Sequence, residues 1–282
     1  TALSRMVSTD RLQPPSVRTL PARIFVPPFI DPMNPNIPPL VMRGINLAGE
    51  SISRRLEQEG KTGVISRINY DTWWNGGMRT AAYYHNMVGI LTETSHPWAY
   101  PSVHDAYLFP DTFSNGRSTR MPSTDYPNPY RGGEWHLKDS CNYMLTASMA
   151  VLALGAERRT EWTYDMYRMG QESIKAGEGE LYVVSRNQWD LGAAIKLVNT
   201  LRWGGIEIEQ TTRSLTIGGI DYPSNSFIIR GAQSFRPYLS DLLNPQVYPD
   251  TRQRPGGPPE RPYDITCLLY TSDAADERSS VD

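Results

Sequence analysis

Apolar residues recur at helical spacing from Val41 through Ile45, Ala48 and Ile52 to Leu56. Asn36 is placed to cap this run ahead of the prolines and Gly60 to close it, so the pattern predicts an amphipathic helix of about six turns at most. The preceding residues 20–39 are proline-dense, which excludes regular helix and predicts an extended strand followed by a surface loop. GVISRI, residues 63–68, reads as a strand. The apolar run at 88–91, VGIL, reads as a short central strand preceded by the turn residues Asn75, Gly76 and Gly77. That places Glu93 at a strand's end, where open α/β sheets place their sites.

Residues 100–135 are polar and aromatic with little periodicity, and predict a long loop forming one wall of a cleft. Residues 137–154 and 158–176 then read as two helices packed antiparallel about the turn GAE. From residue 177 the pattern changes to strand (LYVVS), helix (QWDLGAAIKLVNTLRW), strand (GIEIEQ), hairpin or turn (SLTIGGIDYP), strand (SFIIR) and helix (FRPYLSDLL). The first three form a βαβ unit, expected to be right-handed. The pairs Gly204–Gly205 and Gly218–Gly219 are too isolated for a phosphate loop and read as turn glycines. The fold class is therefore α/β, with a second, smaller α/β module appended at the C-terminal side.

A chain of 282 residues with 39% hydrophobic content can bury a sizeable core in one or two domains. The net charge of −2 gives no field for nucleic acid or an anionic membrane. No stretch of the sequence approaches a transmembrane span, and no signal peptide appears, as expected where an N-terminal half that would carry it is missing. Cys141 lies in an apolar helix and reads as a small core residue.

A carboxylate at the end of a buried strand is costly to desolvate unless it has a partner or a task. From position alone Glu93 is a surface carboxylate paired with Arg79 or Lys61. A more specific reading comes from several long words in order. RIFVPPFIDPMNPNIPPL, DTWWNGGMRT and HNMVGILTETS, continuing through YRGGEW, YMLTASMAVL, YRMGQESI and GGPPERPYDIT, resemble the second half of the catalytic domain of M14-type zinc carboxypeptidases. The likeness is to a bacterial branch of large secreted or periplasmic members, and it spans residues 21–266.

The resemblance implies the C-terminal part of a mixed sheet with helices on both faces, over residues 21–176, followed by the small module at 177–266. It implies hydrolysis of a C-terminal peptide bond in a peptide substrate, outside the cell or in the periplasm. Glu93 stands where the family has the glutamate that takes a proton from zinc-bound water and returns it to the leaving amine. The cofactor implied is Zn2+, held in the family by a histidine and glutamate of one HxxE motif and by a second, later histidine. No HxxE occurs in this sequence. The resemblance therefore implies that the first pair, with most of the substrate-binding arginines, lies upstream of residue 1, and that the chain alone is inactive.

The later histidine is expected a few residues before Arg23, in a segment that reads like WFPQIVYNHHQ in this branch. The chain has MVSTDRLQPPS at 6–16 instead. Shifted forward by one base, the codons permitted for these residues can spell WFPQIVYNHHQ, with the histidines falling on Pro14 and Pro15. A frameshift over residues 1–20 is thus predicted, with the lost ligand at Pro15 or Pro14. CLLYTSDAADE at 267–277 resembles a translated library adapter, so 267–282 is expected to be a non-native tail. That tail supplies one of the 28 basic residues and four of the 30 acidic ones, leaving 27 against 26.

Two further positions are candidates for substrate binding. Arg79 precedes Glu93 by fourteen residues, and in the family a residue at similar distance lies in the pocket that reads the C-terminal side chain. An arginine there favours an acidic one; the alternative is scaffold pairing with Asp71 or Glu93. Tyr70 is the nearest by loop position to the family's carboxylate-binding tyrosine, with Tyr83 and Tyr84 as alternatives. Trp73 and Trp74 read as packing residues. The four histidines, His85, His96, His104 and His136, have no metal-ligand spacing, and His85 is expected to bond backbone near Glu93. Two rival readings stand: a non-catalytic M14-like protein that binds peptide or cell-wall stem peptide, and a carbohydrate-binding module drawing on the 16 Tyr and 7 Trp.

Overall fold

The computed structural model describes residues 21–68, 70–73, 78–95, 102–245, 247–252 and 256–258. The proline-dense segment opens with β1 (Ile24–Phe25), which lies between β2 (Val64–Ile65), parallel to it, and β3 (Glu93–Thr94), antiparallel to it. Helix α1 (Pro39–Gln58) connects β1 to β2 and buries Val41, Ile45, Ala48, Ile52 and Leu56. The 3.6-residue stripe therefore faces the core as the spacing predicts. Its start differs: Pro38 occupies the N-cap position without a side-chain cap, and the Asn36 amide donates to Asp241 instead, at 3.1 Å. Gly60 closes the helix with φ +71°, a left-handed backbone that suits glycine.

A short helix α2 (Met78–Tyr83) follows. The run at 88–91 does not form a strand; β3 begins only at Glu93. Val88 and Leu91 pack on the cluster of Ile37, Val41 and Ile45, whereas Ile90 packs on the neighbouring cluster of Ile24, Ile52 and Trp135. A run of four apolar residues can thus be spent bridging two cores, and periodicity cannot tell that from a strand.

The ends of the expected long loop pair with each other, as β4 (Ser102–Asp105) antiparallel to β5 (Gly132–Trp135). Helix α3 (Leu137–Glu157) packs on α1 through Tyr143, Ala147 and Ala150, which meet Ile52 and Leu56 in one cluster. Only Arg158 separates α3 from α4 (Arg159–Ala176). The antiparallel hairpin expected there does not occur, because the GAE residues are helical and α3 spends its buried face on α1. Cys141 is exposed rather than core. A helix that is apolar around most of its surface hides its orientation from a sequence reading.

The C-terminal module consists of β6 (Leu181–Val184), α5 (Leu191–Trp203), β7 (Glu209–Gln210), the hairpin β8 (Leu215–Ile217) and β9 (Ile220–Tyr222), β10 (Phe227–Arg230) and α6 (Arg236–Leu243). Asp190 caps α5, its carboxylate accepting from Ala193 N–H at 2.9 Å. Gly218 and Gly219 both have positive φ, as a two-residue hairpin turn requires. In the three-stranded sheet β10 lies between β6 and β7 and is antiparallel to both. The expected βαβ unit is therefore split, its two strands separated by a later one. Leu201, Ile206, Ile229 and Leu239 form the module's core. With six helices and several small sheets among the described residues, the fold is mixed α/β.

Candidate functional site

Glu93 sits at the start of β3, an edge strand, with its side chain half-buried. The strand beneath it is firmly held. Ser95 N–H donates to Arg23 O at 2.8 Å, and Ser95 O accepts from Trp135 Nε1 at 2.8 Å and Ser140 Oγ at 2.6 Å. Neither partner expected for the carboxylate is engaged: Lys61 donates to Glu59 and Thr146, at 2.5 and 2.7 Å, and Arg79 points elsewhere. Among the described residues no hydrogen bond or ion pair reaches the Glu93 carboxylate. The chemistry such a group offers is proton exchange.

Arg79 is buried on α2. Its Nη2 donates to the Asp71 carbonyl at 2.9 Å, Nη1 lies 3.5 Å from the Tyr83 hydroxyl, and the guanidinium stacks over Phe29, 4.6 Å from the ring centroid. The scaffold pairing with Asp71 thus uses its backbone carbonyl. Tyr70 is buried too, edge-on to Phe29 at 6.3 Å between centroids. Of the alternatives, Tyr83 has its hydroxyl pKa raised by burial, opposed by Arg79. Tyr84 accepts from Asn34 Nδ2 at 2.9 Å, and burial first, then the Asp241 charge, push its pKa up. Trp73 packs on Tyr248 at 5.0 Å, as a packing residue should. Trp74, Asn75, Gly76 and Gly77 lie outside the described residues, as do His96, Pro14 and Pro15.

His85 bonds backbone, but not near Glu93: Nδ1 meets Ala81 O at 2.5 Å and Nε2 meets Gly204 O at 2.8 Å. Its ring is flanked by Phe235 and Tyr238 of the C-terminal module. His104 is buried in β4, and burial, helped by nearby Arg23, lowers its pKa to about 4. His136 forms a capping box at the start of α3, its backbone N–H donating to Asp139 at 2.7 Å. Among the described residues no three His, Cys, Asp or Glu side chains converge to hold a metal ion. The described residues therefore do not fit a zinc site by themselves.

Three structural residues escaped the sequence reading. Arg23 is fully buried against Tyr130 and Trp135, Asp241 is buried between Asn34 and Asn36, and Tyr248 donates to the Asp71 carboxylate at 3.0 Å. Each partnership spans a long stretch of chain, so no local pattern signals it. Searches against protein families, curated proteins and solved structures find no match to this chain. No helix among the described residues is long and apolar enough to cross a membrane.

Proposed function

We propose that this chain is the second half of an M14-type metallocarboxypeptidase domain with its C-terminal module, and that the whole protein cleaves a C-terminal residue from peptides outside the cell or in the periplasm. The observation that supports the reading is Glu93: a half-exposed carboxylate without a partner among the described residues, on a strand locked from behind by Ser95. A general base needs a free lone pair, and a carboxylate without a partner among the described residues, on a backbone held at Ser95, supports that role. Its task is to accept a proton from the attacking water and return it to the departing amine. The zinc of such an enzyme would come from residues outside those described, so no step through the metal is assigned to this chain. Arg79, with its donors turned to the Asp71 carbonyl and Tyr83, acts as scaffold.

The test is made on the full-length protein, recovered from the contiguous gene. Glu93→Gln is expected to lower kcat on peptide substrates by about 10²- to 10⁴-fold with zinc content and KM little changed. A variant as active as the parent, or a parent with no upstream HxxE, sinks the proposal. The scaffold role of Arg79 predicts no preference for acidic C-terminal residues.

A further inference from the structure

Residues 70–73 and 78–86, which carry Tyr70 and Arg79, are each fastened to the C-terminal module. At one end the Tyr248 hydroxyl donates to Asp71 Oδ2 at 3.0 Å, and its ring packs on Trp73. The same Asp71 gives Oδ1 to Trp73 N–H at 3.0 Å and its carbonyl to Arg79, so Tyr248 is one bond removed from the guanidinium. At the other end His85 reaches Gly204 O and Asn86 Nδ2 donates to Ser234 O at 2.9 Å. Beside His85, Tyr84 is tied to the module through Asn34, whose Nδ2 donates to the Tyr84 hydroxyl and to Asp241 Oδ1 at 2.8 Å. Asn34 N–H in turn donates to Thr72 Oγ1 at 3.3 Å, which ties the proline-dense loop to the same segment.

We infer that Tyr248 and Asp241 are positioning residues that hold residues 70–73 and 78–86, with Tyr70 and Arg79, in place, so that the C-terminal module belongs to the candidate site rather than being an appendage. These contacts are neutral and charge-assisted hydrogen bonds, buried at Asn34, Tyr84 and Asp241 and part-buried at Tyr248, His85 and Asn86. Such bonds lose strength steeply when either partner is removed, because the other is left buried without its hydrogen bond. The part of this inference that concerns substrate rests on the peptidase reading above.

The experiment compares Tyr248→Phe, Asp241→Ala and Asp241→Asn in the full chain by amide hydrogen exchange and, in the full-length protein, by steady-state kinetics. Tyr248→Phe and Asp241→Ala are expected to speed exchange of the amides in 71–73 and 78–86 by about three- to tenfold, leaving those of α1 and α3 unchanged. Asp241→Asn keeps an acceptor oxygen for Asn34 and is expected to restore most of the protection. On peptide substrates KM is expected to rise several-fold with kcat nearly constant. Exchange that quickens uniformly, or not at all, overturns the positioning role. Localised quickening in a protein that cleaves no peptide upholds the clamp and removes the peptidase reading instead.

Discussion

The guanidinium of Arg23 lies over the ring of Tyr130, 4.1 Å from its centroid, and Trp135 flanks it at 4.9 Å. The residue is fully buried, and burial lowers its pKa to about 10. A desolvated cation over an aromatic face gains about 2 kcal/mol or more, and the side chain also fills the space between β1, β4 and β5. Arg23→Ala should therefore destabilise by roughly 2–4 kcal/mol, through a cavity as well as a lost cation. Arg23→Lys should recover less than half of that, since an ammonium does not stack as a planar guanidinium does. Urea denaturation checks both: the midpoint should fall at unchanged slope. A midpoint for Arg23→Ala within error of the parent would show that the aromatic cage is not a stabilising feature.

His104 gives the chain a pH dependence with a definite sign. Unfolded, its imidazole takes a proton near pH 6.5; folded and buried, it stays neutral until about pH 4. Between those values the unfolded state binds more protons, so stability is complete above pH 6.5 and is lost as pH falls towards 4. At about 1.4 kcal/mol per pKa unit the loss should be about 3 kcal/mol, set chiefly by burial and secondarily by the Arg23 charge. His104→Gln should flatten the stability profile across this window relative to the parent. Equal slopes in parent and variant would assign acid sensitivity to other groups.

How much of this was legible in the sequence depended on the distance over which each signal acts. Val41, Ile45, Ala48, Ile52 and Leu56 announce α1 because one face of one helix carries the whole pattern, and all five are buried. Gly218 and Gly219 announce their turn for the same local reason. The run at 88–91 misleads because its side chains divide between two clusters, a choice made by tertiary packing. Cys141 misleads because α3 carries exposed Leu145, Met149 and Leu152 as well as its buried face. At the candidate site, Glu93 could be singled out from its neighbours in sequence, but its edge position could not. The bonds from Asp241 to Asn34 and from Tyr248 to Asp71 join residues 207 and 177 positions apart, and no window of sequence contains both ends.

Two helical glycines should respond in opposite directions to the same substitution. Gly49 faces the proline-dense segment, and a Cβ built on it would stand 2.0 Å from the Pro27 carbonyl oxygen and 2.4 Å from the Pro27 carbonyl carbon. Both atoms are backbone, so relief requires α1 to move off β1's extension. Alanine gains about 1 kcal/mol in helix propensity, whereas overpacking of this kind costs typically about 1–3 kcal/mol and more where backbone must shift. The clash wins, and Gly49→Ala should be destabilising by about 2 kcal/mol or more. Gly155, in the last turn of α3, has no atom within 4 Å of its would-be Cβ. There only the propensity term remains, and Gly155→Ala should stabilise by about 0.5–1 kcal/mol. Thermal melts of the two variants beside the parent decide the matter. A melting temperature raised by Gly49→Ala would mean that α1 does not approach Pro27 as closely as described.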